Sequence, residues 1–217
     1  MSLRVVQPGI LSLLQDGGRT GQHRIGLTNG GPLDREAFDY CNLLLGNAKN
    51  CTALEVSFGG LHLQAQVDTY ICVTGARLPL RINGKERPQW EVLAVAAGDD
   101  IHLEFAQQGC RAYLGVADGF VIPPSFGSTA TVMRENIGGL RGDKLHAGDE
   151  LPCPVVTSRK HGDGIVPGKH KVTVVALDAT QTPTAAVRPE YATATTTPLE
   201  VDTANQPFTL SVRRPTP

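Results

Sequence analysis

Seven short segments between residues 54 and 119 either are rich in β-branched residues or alternate apolar and polar positions, and turn residues separate them. They read LEVSF, LHLQAQV, TYICVTG, LPLRI, VLAVAAG, IHLEFAQ and RAYLGVADG. Alternation with a period of two is typical of strands, and a spacing of roughly ten residues is typical of all-β domains. The pattern predicts a mainly β fold, a β-sandwich or barrel, and does not fit alternating βαβ units.

One short helix is predicted over residues 34–45. Asp34 follows Pro32 and suits the N-cap, because its carboxylate accepts a hydrogen bond from a backbone N–H of the first turn. Apolar residues then recur at helical spacing, and Gly46 with Asn47 supplies the stop. Asn83-Gly84 predicts a type I′ hairpin between two of the strands.

The sequence divides at residue 153. Residues 1–153 carry the strand pattern, with a loop-like stretch at 119–151. Residues 154–217 contain one predicted strand, HKVTVVALD, and a Thr/Ala/Pro-rich stretch at 178–207 whose composition predicts flexibility. PFTLSV near the end is expected to pair as an edge strand.

Composition excludes several classes of function. The formal net charge of −1 and the scattered basic residues give no patch for nucleic acid or an anionic membrane. P-loop, HExxH and GxSxG motifs are absent from the sequence, and no metal site is expected. Five cysteines without CxxC spacing predict reduced thiols. Because we find no signal-peptide pattern and no apolar run long enough to span a bilayer, we expect a cytoplasmic protein.

The first sixty residues combine many glycines with charged and amide side chains, which predicts a shaped polar surface and, before the helix, a glycine-rich site loop. Asp16 and Arg19 are spaced to form an ion pair that stabilises a turn. Alternatively, the Arg19 guanidinium binds a substrate carboxylate or a carboxybiotin oxygen. The N–H groups at Gly30, at Gly31 and at the start of the predicted helix are candidates for an oxyanion-binding set.

Other candidate site residues have a structural alternative as well. Asp34 and Asn42 serve either as helix caps or as hydrogen-bond partners of an amide substrate. Glu55 lies in an apolar strand, so it either pairs with an arginine or acts as an acid or base.

Arg111 and Tyr113 share one strand face because they are two residues apart. Both are therefore expected to point at one site. Ser128, in the FGS sequence, either stabilises a turn or donates to substrate.

The order of the motifs from Val6 to Leu151 closely resembles one family. The motifs are PG, QDGGRTG, GGPLDREAF, GN, LE with GG, TGA, GCRAYLGVADG, FGS and GDKL. The chain is thereby identified as a member of the biotin-dependent carboxyltransferase family, whose members are also described as the second subunit of allophanate hydrolase, the C subunit of 5-oxoprolinase, or KipA. Members usually continue past the last motif, so this chain is expected to be a shortened or divergent member.

The resemblance implies a cyclophilin-like β fold and an enzyme subunit that acts beside KipI-type and LamB/YcsF-type subunits. The first expectation is ATP-dependent opening of 5-oxoproline to glutamate, with ATP used by the assembled complex. The alternatives are biotin-dependent carboxyl transfer to urea or a related amide, and a non-catalytic role as antagonist of a kinase inhibitor. The catalytic candidates are Asp16, Arg19 and Glu55. The substrate-binding candidates are Gly31, Asp34, Asn42, Arg111, Tyr113 and Ser128.

Overall fold

Eleven strands and one α-helix make up the larger part of a computed structural model of the chain. The structure describes residues 1–154 and four short strand segments at 169–171, 176–177, 183–184 and 200–202. The elements of the first part are β1 (Ser2–Pro8), β2 (Leu11–Gln15), α1 (Arg35–Leu44), β3 (Ala53–Ser57), β4 (Leu61–Ala65), β5 (Thr69–Arg77), β6 (Leu80–Ile82), β7 (Lys85–Arg87), β8 (Leu93–Val95), β9 (Asp100–Leu103), β10 (Gln108–Val116) and β11 (Glu150–Pro152).

The strands of residues 1–154 form two antiparallel sheets. One sheet has six strands in the order β11-β1-β4-β9-β6-β7, and the other has five in the order β2-β3-β10-β5-β8. One contiguous apolar cluster contains side chains of both sheets, such as Leu63 of β4 and Val73 of β5. The mainly β prediction is confirmed, and apolar side chains from most strands of the two sheets form this common core, although β7 is exposed.

Helix α1 packs on the other face of the five-stranded sheet. Its residues Phe38 and Cys41 form a second apolar cluster with Ala53, Cys72 and Tyr113 of the sheet. Every residue of β3 is therefore buried, since one face of the strand contacts the sandwich core and the other contacts the helix. This second buried face contains the polar side chains described below.

The helix and the central strands lie where the sequence predicts them. The Asp34 side chain accepts from Ala37 N at 3.0 Å, and Gly46 has a φ of 65° just beyond the end of the helix. Asn83 and Gly84 both have positive φ between the paired strands β6 and β7, as a type I′ turn requires. The seven predicted strand segments overlap β3, β4, β5, β6, β8, β9 and β10, with several bounds shifted by one to four residues.

The glycine-rich start of the chain is not the continuous loop that the sequence indicated. Strands β1 and β2 both lie within it, and β1 pairs with β4 and β11. Breaker residues concealed the strands, because Pro8 and Gly9 end β1 only three residues before β2 begins. The short strands β7 and β11 are also absent from the prediction.

Contacts between Cα atoms divide the chain into Met1–His161 and Gly162–Pro217. In the second part β12 (Lys169–Lys171) pairs with β15 (Glu200–Asp202), and β13 (Ala176–Leu177) pairs with β14 (Pro183–Thr184). Most of the predicted strand HKVTVVALD, of the flexible stretch and all of PFTLSV lie outside the described residues. Within the described part of the chain, no helix is long and apolar enough to cross a membrane.

Two histidines stack on the outer face of the six-stranded sheet. His62 of β4 is the cross-strand partner of His102 of β9, and their ring centroids are 3.6 Å apart. Burial and the neighbouring His62 lower the pKa of His102, although the Asp100 and Glu104 carboxylates act in the opposite direction. A second positive charge so close to the first is unfavourable.

We expect an NMR titration of His102 to have its midpoint below the ordinary value of about 6.5. The neutral form is favoured in the folded state, so this group's contribution to stability is present above about pH 6.5 and is lost as the pH falls. His62→Gln is expected to raise the midpoint, because the coulombic repulsion disappears while the burial remains. His146→Gln, on a distant loop, is the control. An unchanged midpoint in His62→Gln would contradict the proposed cause.

Candidate functional site

Glu55 lies at the centre of a buried polar group between the sheet and the start of α1. It is 5% exposed and points from the middle of β3 toward the helix. Its Oε2 accepts from the backbone N–H of Leu33 at 2.8 Å and from the Tyr113 hydroxyl at 2.6 Å. Two donors thus satisfy one carboxylate oxygen inside the protein.

Tyr113 connects the same carboxylate to the helix start. Its hydroxyl donates to Glu55 and accepts from the backbone N–H of Asp34 at 2.8 Å. Burial, followed by the hydrogen bond to Glu55, raises the pKa of Tyr113 well above its ordinary value. The hydroxyl therefore remains a neutral donor, and the chain of hydrogen bonds orients residues 33–34 against the sheet.

Arg111 is next to this group but is incompletely paired with it. Its Nε is 3.7 Å from Glu55 Oε1, which is an ion-pair distance but too long for a hydrogen bond. Nε is buried without a hydrogen-bond partner, while Nη1 donates to the carbonyl of Cys110 at 3.3 Å. The guanidinium carbon lies 5.8 Å from the centroid of the Phe58 ring. The predicted shared face of Arg111 and Tyr113 is confirmed by their common neighbour Glu55.

A β-bulge opens a cleft beside Arg111. The register between β10 and β5 shifts between Gln108 and Ala112, so the regular antiparallel pairing of the two strands is interrupted there. Gly75 opposite has a φ of 87°, and a Cβ at this position would overlap the Arg111 carbonyl oxygen. The cleft has a volume of about 450 Å³ and is lined by Leu33, Asp34, Gly75, Ala76, Arg77, Gln108, Gly109, Cys110 and Arg111.

Asp16 belongs to a second polar group that holds the loop around residues 125–131. Its Oδ1 accepts from Gly18 N at 2.9 Å and from Ser128 Oγ at 2.5 Å, and its Oδ2 accepts from Thr129 N at 2.8 Å. The Ser128 hydroxyl also accepts from Ala130 N at 3.0 Å. Ser128 therefore stabilises a turn in this structure.

Arg19 is 1% exposed and donates only to backbone carbonyls among the described residues. Its Nη2 reaches the carbonyl of Ala130 at 2.5 Å, and its other nitrogens lie 3.5 Å from the carbonyls of Ser125 and Thr28. The expected ion pair between Asp16 and Arg19 is wrong. The Asp16 carboxylate is instead occupied by donors at Gly18, Ser128 and Thr129, as described above.

Gly31 and Asn42 also have partners within the protein. The N–H of Gly31 donates to Gln15 Oε1 at 3.1 Å, so it is engaged in the position where an oxyanion donor was expected. The Asn42 amide donates to the carbonyl of Cys51 at 3.0 Å and accepts from Asn47 at 3.0 Å. Asn42 thus connects the last turns of α1 to the loop before β3 rather than joining the group around Glu55.

The structure therefore brings together four of the predicted site residues, Asp34, Glu55, Arg111 and Tyr113. Sequence reasoning missed the cleft residues Gly75 and Cys110, although the TGA and GCRAYLGVADG motifs contain them. Among residues 1–154 and the short described strands, there is no group of three His, Cys, Asp or Glu side chains that could hold a metal ion.

Tyr113→Phe is expected to lower the free energy of unfolding by about 1–3 kcal/mol, because Glu55 and the Asp34 N–H each lose a buried partner. Urea denaturation at neutral pH measures the change. Tyr40→Phe, at an exposed position on α1, is the matched control and is expected to have little effect. Equal losses in the two variants would show that the buried hydroxyl contributes nothing.

Tyr113 is expected to stay protonated in the folded protein at a pH at which ordinary tyrosines, with a pKa of about 10, ionise. The unfolded chain ionises first, so stability that is present below about pH 10 is lost as the pH rises further. Absorbance at the tyrosinate band compares wild type with Tyr113→Phe under folded conditions. A smaller tyrosinate signal in the variant would contradict the expectation.

The chain aligns with a known domain and with enzymes of two kinds. Residues 25–212 match the family described as carboxyltransferase domain, subdomain A and B. The chain is 37% identical to the C subunit of 5-oxoprolinase from Escherichia coli over 69% of this chain and 48% of that protein. It is 41% identical to the C subunit of 5-oxoprolinase from Haemophilus influenzae over 64% of this chain and 45% of that protein. It therefore spans about half the length of these relatives.

A solved structure shows the same fold. The crystal structure of the Kluyveromyces lactis urea carboxylase aligns with a TM-score of 0.68 and 35% sequence identity, covering 70% of this chain and 14% of that chain. The two-sheet fold and the match over most of the sequence agree with each other. The chain belongs to the carboxyltransferase domain family.

Proposed function

We propose that this chain is a component of a 5-oxoprolinase, which hydrolyses the ring amide of 5-oxoproline to glutamate together with KipI-type and LamB/YcsF-type subunits. The observation that carries the proposal is the similarity to the C subunit of 5-oxoprolinase from two bacteria, at 37% and 41% identity. The polar group next to the cleft supports it, because the Glu55 carboxylate, the Tyr113 phenol and the Arg111 guanidinium meet in that group and Arg111 also lines the cleft.

The reaction adds water across the ring amide: the C–N bond breaks, the carbonyl carbon becomes a carboxylate and the nitrogen becomes an amine. Amide carbonyls are poor electrophiles, and ATP supplies the activation when it is bound by the assembled complex. The sequence of this chain has no P-loop, so we assign the nucleotide to the complex rather than to this component of it.

Of the three catalytic candidates, Glu55 lies next to the cleft and is the proposed acid or base. A carboxylate with Tyr113 and a backbone N–H as donors is held in one orientation, as proton transfer requires. Asp16 and Arg19 are proposed as positioning residues. Their contacts hold the loops around residues 28 and 125–130.

Biotin-dependent carboxyl transfer to urea is the second candidate function. The match to the K. lactis urea carboxylase, with a TM-score of 0.68, supports it. In that case the carboxyl group moves from carboxybiotin to a urea nitrogen, and the cleft binds a neutral amide instead of 5-oxoproline.

The test combines this chain with its cognate KipI-type and LamB/YcsF-type subunits and measures glutamate release that depends on ATP and 5-oxoproline. The E. coli relative with its own partners is the positive control. Glu55→Gln is expected to lower the rate by about a hundredfold or more, as removal of a general acid or base does. Arg87→Gln, on the exposed β7, is the control variant.

Failure of this chain to support glutamate release, while the E. coli relative supports it, would overturn the proposal. Transfer of a carboxyl group from a carboxylated biotin carrier to urea would favour the second candidate. A complex that forms without either activity would indicate the regulatory role.

A further inference from the structure

The cleft at the β10 bulge has an arginine whose hydrogen-bonding capacity is largely unused. We propose that Arg111 binds the carboxylate of the substrate in this cleft, and so selects amides that carry a carboxylate over neutral amides such as urea. The inference deepens the proposed function and rests on it for the identity of the substrate. The binding step itself is a property of this chain.

Most N–H donors of the Arg111 side chain make no hydrogen bond within residues 1–154. A guanidinium has five N–H groups in a planar fork. Within residues 1–154 its only hydrogen bond as donor goes from Nη1 to the carbonyl of Cys110, and the Nε–H is buried without an acceptor. The side chain is 24% exposed, so part of it faces the cleft. A planar carboxylate can accept two parallel hydrogen bonds from such a group.

Glu55 does not depend on Arg111 for its hydrogen bonds. Its Oε2 already accepts from Leu33 N and from the Tyr113 hydroxyl, at 2.8 and 2.6 Å. The contact from Oε1 to Arg111 is 3.7 Å. Arg111 can therefore turn toward a ligand while Glu55 keeps both of its hydrogen bonds.

The charge of the cleft favours an anion. Two arginines, Arg77 and Arg111, line it, and the single acidic residue in the lining is Asp34. The Asp34 carboxylate already caps α1 by accepting from Ala37 N. A volume of about 450 Å³ suits a small ligand.

Phe58 supports the orientation of the guanidinium. It has a φ of 61°, which is a strained conformation for a bulky residue, and its side chain is 46% exposed. Its ring lies 5.8 Å from the Arg111 guanidinium carbon, within the range of a cation–π contact. The strained backbone thus places an aromatic face beside the arginine at the edge of the cleft.

The test is a calorimetric or NMR titration of the full chain with three probes: 5-oxoproline, 2-pyrrolidinone, which is the same ring amide without the carboxylate, and urea. We expect saturable binding of 5-oxoproline, and binding of the two neutral probes that is weaker by about tenfold or more, the effect of losing one charge-assisted hydrogen bond.

Arg111→Gln is expected to weaken 5-oxoproline binding by about tenfold to a hundredfold and to remove the preference over 2-pyrrolidinone. Arg111→Lys keeps the positive charge but loses the planar pair of N–H donors, and is expected to bind 5-oxoproline with intermediate affinity. Arg87→Gln removes one positive charge elsewhere and is expected to bind as wild type does. If Arg111→Gln does not fold, the lysine variant decides the question.

Wild-type affinity in the Arg111 variants, equal affinity for 2-pyrrolidinone, or no binding of 5-oxoproline would each overturn the inference. Its failure is distinguishable from failure of the proposed function. Glutamate release with an unchanged KM in Arg111→Gln would overturn the inference alone. Carboxylate-dependent binding without glutamate release from the complex would overturn the proposed function alone.

Discussion

The hydrogen bonds around Glu55 are the constraint on which the candidate site depends. A carboxylate on a fully buried strand is costly unless donors satisfy it. Here the donors are the Tyr113 hydroxyl and the N–H of Leu33, and the same hydroxyl accepts from the N–H of Asp34. Because these backbone groups immediately precede α1, satisfying one buried charge also sets where the helix begins relative to the sheet.

Both faces of the five-stranded sheet are buried, and this explains why the polar group around Glu55 lies inside the molecule. Its inner face supplies Leu54 and Val56 to the sandwich core, while its outer face is covered by α1. At the start of the helix and at the β10 bulge, α1 no longer covers the outer face of the sheet, and the cleft begins there. The site is thus an edge of the helix–sheet interface rather than a pocket in the sandwich core.

Much of the fold is predictable from local patterns. Period-two alternation located β3 and β10, and the cap at Asp34 located α1, because these features depend on residues close in sequence. Strand β1 was missed because its partners, β4 and β11, are distant in the chain and its ends are marked by breaker residues. Its stability comes from non-local pairing that local composition does not reveal.

The strand-rich fold, the position of the helix and the shared face of Arg111 and Tyr113 are predictable from the amino-acid sequence alone, since they follow from local periodicity and helix capping. The tertiary structure sets which polar residues meet, because that depends on pairing between strands distant in the chain. It separated Asp16 from Arg19, which were expected to pair, and gave each of them partners around residues 125–130. It brought Glu55 and Tyr113 together across 58 positions of sequence, because antiparallel pairing of β3 with β10 sets them opposite each other.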